Sequence, residues 1–426
     1  MSTIQIKGDV APGFESVKDL FSSRTRALAE DNVQLCVYHR GKRIVDLWAS
    51  AGNDETFTAN TLVNVFSSGK SLETIILGML ASRDLIEYDA KIVRYWPEFG
   101  AHGKENITVA DLMRHEAGLA YFDTSLAAED LFTENIKRNV VGRVIETQKQ
   151  NFKRSDRREY HTVTRGWIVN EIVRRVDPAG RTIGEFLREE ISENLRADVY
   201  IGVQSQERQR MRPVKPLSFR YQILQSLLPR FLGRRVTHNF FQLIARMFAL
   251  LPAILQVWRS DKPPPAISNV TGLNDVNIPE FGKGETPSAN ATCSARGLAR
   301  IGAMMSARGT LEGRRLLTER AWHAMHEQPT LAMMDAVLPT RFTQGGVDYF
   351  QPCEPGCALY ERAFSQGREG FYGWMGLGGS IFQWHPEKDL SFAFVPTSLH
   401  YLDFVNERGK AYQTELLRCL DRLAVS

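Results

Sequence analysis

The sequence lacks the short motifs of several common catalytic and nucleotide-binding sites. It contains no G-x-S-x-G, so an α/β-hydrolase is not expected, and no H-E-x-x-H of a zinc peptidase. It also contains no P-loop and no G-x-G-x-x-G at a strand–helix junction, which argues against a nucleotide site. Any catalytic chemistry must therefore come from another arrangement of residues.

Cysteine is scarce, and a targeting signal is not apparent. Residues 1–14 have no basic region followed by an apolar run, so we expect no secretory signal. The five cysteines are an odd number, which favours reduced thiols and a cytoplasmic location. Cys353 and Cys357 share a loop, but no Cys or His pair at zinc-like spacing accompanies them, and we expect no metal site.

Charge is unevenly distributed along the chain. The formal net charge is +4, but residues 201–262 hold eleven Lys or Arg and only Glu207 and Asp261 as acids. This segment therefore has a local charge of +9, which leaves −5 for the rest of the chain. The overall charge does not indicate a nucleic-acid partner, and the basic segment needs its own explanation.

Strands are predicted at both ends of the chain and helices in between. The spacing predicts one β-hairpin from Val33–Tyr38 and Arg43–Trp48, and another from Ser380–Trp384 and Leu390–Val395. Apolar residues recur at helical spacing in four segments, 163–176, 182–191, Thr292–Ser306 and 406–424. We therefore predict an α/β (α+β) fold, with an antiparallel sheet formed by both chain termini, flanking helices and an inserted helical lobe.

This order of elements predicts two lobes. Residues 1–100 and 285–426 would form a discontinuous α/β lobe. Residues 101–284 would form a mainly helical lobe, which includes a basic and apolar insertion at about 204–284. A cleft between the two lobes is a frequent position for a ligand site.

Ser67 and Lys70 are the one serine–lysine pair at S-x-x-K spacing in the chain. An apolar helical face follows in residues 71–83, so Ser67 is predicted at a helix amino terminus with Lys70 one turn further on. A buried lysine there would have a lowered pKa and could act as a base for the serine. Backbone N–H groups of the helix terminus could stabilise an oxyanion. The alternative is that Ser67 only caps the helix and Lys70 is solvated.

Longer stretches resemble the serine β-lactamase-like superfamily. Phe66–Lys70 is similar to its nucleophile motif, and Leu85–Phe99 followed by Ile107–Leu119 is similar to the segment after the nucleophile helix. The superfamily includes class C β-lactamases, D-alanyl-D-alanine carboxypeptidases, family VIII carboxylesterases and eukaryotic β-lactamase-domain proteins. The resemblance implies a β-lactamase/transpeptidase-like fold and serine acyl transfer, which needs no cofactor.

Tyr160-His161-Thr162 is the best match to the second motif of this superfamily, Y-x-N. The resemblance implies that Tyr160 moves a proton between Ser67 and the leaving group. Thr162 replaces the usual asparagine, which weakens the expectation of a lactam substrate. His161 is expected to line the pocket, with its side chain directed away from that of Tyr160. The alternative for Tyr160 is an ordinary aromatic residue at the start of a helix.

Trp374-Met375-Gly376 is the candidate for the third motif, K-T-G or an analogue, on the strand beside the nucleophile. The resemblance implies that the N–H of Leu377 forms an oxyanion hole with that of Ser67, while Trp374 and Gly376 face the substrate. Trp374 replaces a lysine that contacts a substrate carboxylate in penicillin-binding enzymes, which is typical of the esterase branch. The alternative is a glycine-rich turn with no ligand role.

Residues 213–262 have no clear counterpart in the resemblance. Their apolar run Phe240–Leu251 is interrupted by Arg246 and is too short for an uninterrupted membrane-spanning helix. Apolar helix faces edged with arginine fit a peripheral membrane or lipid contact, or a lid over an acyl substrate. The alternative is a helical excursion that packs on its own lobe with solvated arginines.

The leading hypothesis is a carboxylesterase-like serine hydrolase that cleaves a small-molecule ester, lactone or amide. Ser67 would carry the acyl group, with Lys70 and Tyr160 as base and acid. The alternatives are an acyltransferase with the same acyl-enzyme, a β-lactamase or D-alanyl-D-alanine carboxypeptidase, and a non-catalytic scaffold or lipid-binding protein. The oligomeric state is left open.

Overall fold

Strands from both ends of the chain form one large antiparallel sheet. The computed structural model describes residues 4–52, 54–152, 157–248, 263–335, 337–357 and 359–425. Its strands are β1 (Gln5–Val10), β2 (Asn32–His39), β3 (Lys42–Ser50), β4 (Val63–Asn64), β5 (Val199–Tyr200), β6 (Lys215–Pro216), β7 (Thr292–Cys293), β8 (Thr310–Leu311), β9 (Arg314–Arg315), β10 (Thr330–Met334), β11 (Leu338–Phe342), β12 (Asp348–Tyr349), β13 (Tyr372–Met375), β14 (Ile381–His385), β15 (Leu390–Pro396) and β16 (Ser398–Leu399).

The large sheet has nine strands in the order β1-β3-β2-β15-β14-β13-β12-β11-β10, and neighbouring strands are antiparallel. The two predicted hairpins are present as β2–β3 and β14–β15. They lie next to each other because β2 pairs with β15, with Leu35 opposite Phe394. The predicted fold class is confirmed.

Helices flank this sheet and occupy most of the middle of the chain. They are α1 (Glu15–Ala27), α2 (Lys70–Ser82), α3 (Val109–Met113), α4 (Thr133–Lys137), α5 (Val140–Thr147), α6 (Thr164–Val176), α7 (Ile183–Phe186), α8 (Glu193–Leu195), α9 (Ser205–Arg208), α10 (Phe219–Leu227), α11 (described over 240–248), α12 (Pro279–Lys283), α13 (Pro287–Asn290), α14 (Ala295–Ser306), α15 (Glu319–His326), α16 (Leu359–Ser365) and α17 (Glu407–Val425). The helices predicted at 163–176, 182–191 and 406–424 are therefore present. The second continues from α7 into a π-helical segment at Leu187–Ser192.

The central strands are buried on both faces because side chains alternate between two hydrophobic cores. In β15, Phe392 and Phe394 belong to the core that includes residues of α1 and α17. Ala393 and Val395 belong to the opposite core, with residues of α2 and α14. Burial on both faces explains why this strand is a continuous apolar run rather than an alternating one.

The helix predicted at Thr292–Ser306 begins three residues later than expected. Thr292 and Cys293 form β7, which pairs with Val63–Asn64 just before Phe66–Gly69, the turn that holds the nucleophile candidate Ser67 and is called the nucleophile turn below. The side chain of Ser294 then accepts the Gly297 N–H at 3.0 Å and caps α14. Pairing between distant segments has overridden the helical spacing at this point, so that part of the prediction was wrong.

The basic insertion packs against the carboxy-terminal part of the chain. β6 pairs in parallel with β16, Nε2 of His238 lies 3.2 Å from Oδ1 of Asp403, and Arg246 in α11 pairs with Glu407 at the start of α17. The last part of the apolar run, from residue 249, and the rest of the segment to residue 262 lie outside the described residues.

Among the described residues, no helix is long and apolar enough to cross a membrane. The division into lobes at residues 100 and 284 stays a prediction.

Candidate active site

The nucleophile candidate lies on a tight turn between a strand and a helix. A 3₁₀ turn at Phe66–Gly69 leads directly into α2, and Ser67 is its second residue. Phe66 has a φ of +49°, in the left-handed region that bulky residues rarely adopt. Its N–H donates to Oδ1 of Asn64 at 2.7 Å, and the Val65 N–H donates to the Ala291 carbonyl at 2.9 Å. These bonds hold an unfavourable backbone conformation that leaves Ser67 half-buried.

Lys70 is the first residue of α2, and its side chain is buried, with 1% exposed. The amine donates to the carbonyl oxygens of Thr162 at 2.6 Å and Ser288 at 3.0 Å. It also lies 4.8 Å from the centroid of the Tyr160 ring. Three distant parts of the chain therefore meet around one amine.

Burial holds the pKa of Lys70 well below its ordinary value. A buried ammonium loses hydration, and the positive charge of Arg165 disfavours it further, whereas the negative charge of Glu73 opposes the shift. No carboxylate lies within ion-pair distance of the Lys70 amine among the described residues. The neutral amine is thus favoured over the ammonium to an extent unusual for lysine.

A buried charged network lies directly behind Lys70. Nε of Arg165 donates to Oε2 of Glu73 at 2.8 Å, and both side chains are fully buried. Arg165 also donates to the Lys70 carbonyl at 3.0 Å. The Ser288 hydroxyl donates to the other oxygen of Glu73 and accepts the Gly166 N–H at 3.0 Å. The network fixes the Ser288 carbonyl that holds the amine of Lys70.

Tyr160 lies between Ser67 and Trp374 of the third motif. Its hydroxyl accepts a hydrogen bond from Nε1 of Trp374 at 3.0 Å, and it lies close enough to Ser67 for that residue to affect its pKa. Burial raises the pKa of Tyr160 to about 12, and the polar neighbours Ser67 and Trp374 oppose that rise. The tyrosine is therefore protonated at neutral pH and holds a proton beside Ser67.

The end of β13 is clamped against the nucleophile turn. The Ser380 hydroxyl donates to the Val65 carbonyl at 2.6 Å and lies 3.0 Å from the Ser68 hydroxyl. Nδ2 of Asn406 donates to the carbonyls of Gly376 and Ser380, both at 3.0 Å. A Cβ at Gly376 would clash with the Val65 carbonyl, so only glycine permits this approach.

Two backbone N–H groups near this contact are without acceptors in the part of the chain that the structure describes. The Gly376 N–H donates to the Ser380 carbonyl at 2.8 Å, but the next N–H, that of Leu377, has no acceptor among the described residues. The Ser67 N–H also has none, as expected near the start of a helical turn. The side chain of Leu377 is 42% exposed.

His161 and Thr162 occupy different environments. His161 is fully buried, with Nδ1 2.7 Å from the Glu159 carbonyl and Nε2 accepting the Leu119 N–H at 3.3 Å. Burial lowers the pKa of His161 to about 3, so the ring is neutral and both nitrogens are engaged with backbone. Thr162 is exposed and contributes its carbonyl to Lys70. The structure thus brings together Ser67, Lys70 and Tyr160 with the β13 residues, and sets the His161 ring behind them.

Sequence reasoning missed Glu73, Arg165, Ser288 and Ser380. Glu73 follows Lys70 by three residues and is the only acidic residue in a mostly apolar helix, so this lone acid was a usable signal. Ser288 is 215 residues from Glu73 and belongs to no motif, so nothing in the sequence pointed to it. Among the described residues, no group of three or more His, Cys, Asp or Glu could hold a metal ion.

Comparison with family models matches residues 17–414 to a family described as Beta-lactamase. The chain belongs to the beta-lactamase family. The match includes the nucleophile turn, Tyr160 and β13, and the chain is a hydrolase of this family. The predicted resemblance is confirmed.

Several proteins are similar to this beta-lactamase-family chain over most of its length. Esterase/beta-lactamase LipL of Mycobacterium tuberculosis is 27% identical over 408 residues, which are 93% of this chain and 83% of the relative. A crystal structure of a family VIII carboxylesterase has a TM-score of 0.76 at 23% identity, covering 97% of this chain and 100% of the other. EstA from Arthrobacter nitroguajacolicus has a TM-score of 0.72 at 23% identity, covering 97% and 98%. The two solved structures show a shared fold.

Gly376→Ala is predicted to destabilise the protein by about 1–3 kcal/mol, because the added methyl group must push β13 away from Val65 and Ser380. Urea unfolding followed by tryptophan fluorescence measures the change. Gly52→Ala is the matched control, since a Cβ there meets nothing within 4 Å. Equal stability of the two variants would contradict the close contact between β13 and the nucleophile turn.

Proposed function

We propose that the chain is a carboxylesterase-like serine hydrolase that cleaves a small neutral ester through an acyl-enzyme on Ser67. One observation carries the proposal, the placement of the Lys70 amine. It is buried 4.8 Å from the centroid of the Tyr160 ring, and the Tyr160 hydroxyl lies close enough to Ser67 for that residue to lower its pKa. A serine with a lysine and a tyrosine beside it can act as a nucleophile with its base and acid.

The hydrogen bonds of Lys70 support its role as the base. A neutral amine has two N–H groups and one lone pair. The carbonyls of Thr162 and Ser288 accept two N–H groups, which leaves the lone pair for a third partner. We assign that partner as Ser67, which lies one helical turn before Lys70. Because burial lowers the pKa of Lys70, the lone pair is available at a lower pH than in a solvated lysine.

In the proposed acylation step, Lys70 takes the proton of the Ser67 hydroxyl as Oγ attacks the ester carbonyl carbon. The N–H groups of Ser67 and Leu377 stabilise the resulting oxyanion. When the bond to the alkoxide breaks, Tyr160 gives its proton to the leaving oxygen and regains one from the Lys70 ammonium. The products are a free alcohol and an ester of Ser67, with Lys70 neutral again.

Deacylation uses the same groups in reverse. A water molecule loses a proton to Lys70, through Tyr160, and attacks the acyl carbonyl. The tetrahedral intermediate collapses, Ser67 regains its proton, and the carboxylic acid leaves. Replacement of this water by a second alcohol would give acyl transfer with no change in the protein groups.

The environment of Trp374 supports a neutral substrate. Trp374 occupies the position at which penicillin-binding enzymes have a lysine. Its ring centroid lies 5.1 Å from that of Phe342 and 6.0 Å from that of Tyr160. An aromatic ring offers no ion pair to a carboxylate. The descriptions of two similar proteins agree, since one is an esterase/beta-lactamase and the other is a family VIII carboxylesterase.

Ser67→Ala is predicted to abolish labelling by a fluorophosphonate probe and to lower p-nitrophenyl acetate hydrolysis by at least about 10³-fold, because the nucleophile is lost. Intact-protein mass spectrometry and absorbance measure the two effects. Ser71→Ala is the control, since this buried hydroxyl has no hydrogen-bond partner among the described residues. Equal labelling of Ser67→Ala and Ser71→Ala would place the nucleophile elsewhere.

Trp374→Phe is predicted to lower kcat by about tenfold, since it removes the indole N–H that lowers the pKa of Tyr160. Trp384→Phe is the matched control, because Trp384 donates to Nε2 of His326 at 3.0 Å in the core of the sheet. Steady-state ester hydrolysis measures the change in kcat of each variant, and urea unfolding measures its change in stability. An unchanged kcat in Trp374→Phe would contradict the role of Tyr160 as the acid.

Short-chain p-nitrophenyl esters are predicted to exceed nitrocefin in kcat/KM by more than about tenfold. Nitrocefin carries a carboxylate, and Trp374 cannot provide the charged hydrogen bond that a lysine would give it. A panel of esters of rising acyl length beside nitrocefin measures the preference. Turnover of nitrocefin without ester hydrolysis would make the chain a β-lactamase instead.

A further inference from the structure

The insertion exposes an unusual number of large apolar side chains. Of fourteen large hydrophobic residues exposed among the described residues, eight lie in residues 213–248. They are Phe219, Leu224, Leu227, Phe231, Leu232, Phe241, Met247 and Phe248. Phe231 is 86% exposed and Phe241 is 81% exposed, which places whole aromatic rings in water. Such a concentration marks a surface that is covered by a partner.

All the charged side chains of the same segment are basic. Residues 213–248 contain six Lys or Arg and no Asp or Glu. Basic and apolar side chains together are typical of surfaces that contact the headgroups and acyl boundary of an anionic membrane. A protein partner of ordinary composition would not require acids to be absent from the whole segment.

An arginine-lined pocket lies within this surface. It has a volume of about 530 Å³ and is lined by residues that include Arg24, Arg230, Arg234 and Thr237. Within the described chain, none of the three arginines forms an ion pair with a carboxylate. Nε of Arg234 and Oγ1 of Thr237 are buried and have no hydrogen-bond partner in the described structure. Unpaired guanidinium groups and a hydroxyl are the donors that a phosphate group requires.

The one carboxylate that lines the pocket is already neutralised. Glu407 pairs with Arg246 of α11, and Nδ1 of His238 lies 3.7 Å from its other oxygen. The Glu407 carboxylate therefore does not compete with a phosphate for the pocket arginines. The pocket keeps a net positive charge.

The pocket and the exposed apolar residues adjoin each other along the chain. Arg230, Phe231 and Leu232 form one 3₁₀ turn, so a pocket arginine is followed directly by two of the most exposed apolar residues. Gln242 lines the pocket, and its neighbour Phe241 is exposed. A lipid phosphate bound in the pocket would thus have apolar side chains close to the acyl chains of the same lipid.

We propose that residues 219–248 form a docking face for an anionic phospholipid membrane, with the phosphate of one headgroup bound between Arg230 and Arg234. The apolar side chains of the face, Phe231 and Phe241 foremost, enter the acyl boundary. The proposal is independent of the chemistry at Ser67.

The docking face is joined to the candidate active site through one short segment. β6 pairs with Ser398–Leu399, and the His400 N–H donates to the Gly378 carbonyl at 3.1 Å. Gly378 follows Leu377, which carries the proposed oxyanion N–H. The segment that precedes the docking face therefore contacts the β13 side of the site through residues 398–400.

The test is flotation of the full chain with phosphatidylcholine vesicles that contain or lack phosphatidylglycerol. We expect binding to the phosphatidylglycerol vesicles, weakened as salt is raised, and little binding to phosphatidylcholine alone. Phe231→Ser/Leu232→Ser and Arg230→Ala/Arg234→Ala should each lower the partition coefficient about tenfold or more. Leu331→Ser/Met333→Ser is the control, since these residues are exposed on β10 and should not matter. Circular dichroism and p-nitrophenyl acetate hydrolysis establish that each variant is folded.

Three results would overturn the proposal. The first is no flotation of the wild type with phosphatidylglycerol vesicles. The second is an equal loss of binding in the β10 control, which would show a general effect of surface hydrophobicity. The third is binding of inorganic phosphate by calorimetry that depends on Arg230 and Arg234, together with no vesicle binding, which would assign the pocket to a free phosphate compound.

Discussion

An amine taken out of water needs hydrogen-bond partners in the protein, and the Lys70 amine donates to two backbone carbonyls, those of Thr162 and Ser288. No carboxylate among the described residues pairs with it directly, so the ammonium is not restored by an ion pair. Glu73 is instead bound to Arg165. The arrangement keeps Lys70 buried and lowers its pKa. The proposed chemistry at Ser67 depends on that lowered pKa.

The fold provides this environment by joining segments that are far apart in sequence. The nucleophile turn is held by β7 on one side and by the end of β13 on the other, through the bonds of Val65 to Ala291 and Ser380. β13 in turn is fixed in a sheet built from both chain ends. Because each contact is between separate elements, the position of Ser67 and Lys70 relative to Tyr160 and β13 is set by tertiary packing rather than by any one segment.

Local patterns were sufficient to predict the hairpins, the terminal helix and the place of Ser67 and Lys70 at the start of a helix, because each rests on residues close in sequence. Tyr160 and Trp374 were found through the resemblance, and the structure places them in hydrogen-bond contact. The roles of Arg165 and Ser288 could not be predicted, since burial of a charge and its partner emerge only when distant elements pack. For the same reason His161, adjacent to Tyr160, gave no sign that its ring nitrogens bind backbone instead of facing a ligand.

The most direct test of the account is the pH dependence of Ser67 acylation by a fluorophosphonate in the wild type and in Lys70→Arg. With Lys70 as a buried neutral base, the wild-type rate rises with pH to a plateau reached well below 10.4, the ordinary pKa of a lysine. Lys70→Arg places a permanently charged guanidinium there, which cannot accept a proton, so its rate should stay about 10²–10⁴-fold lower across that range. A wild-type rate that rises only near the ordinary lysine pKa, or a Lys70→Arg variant that acylates at the wild-type rate, would contradict the account.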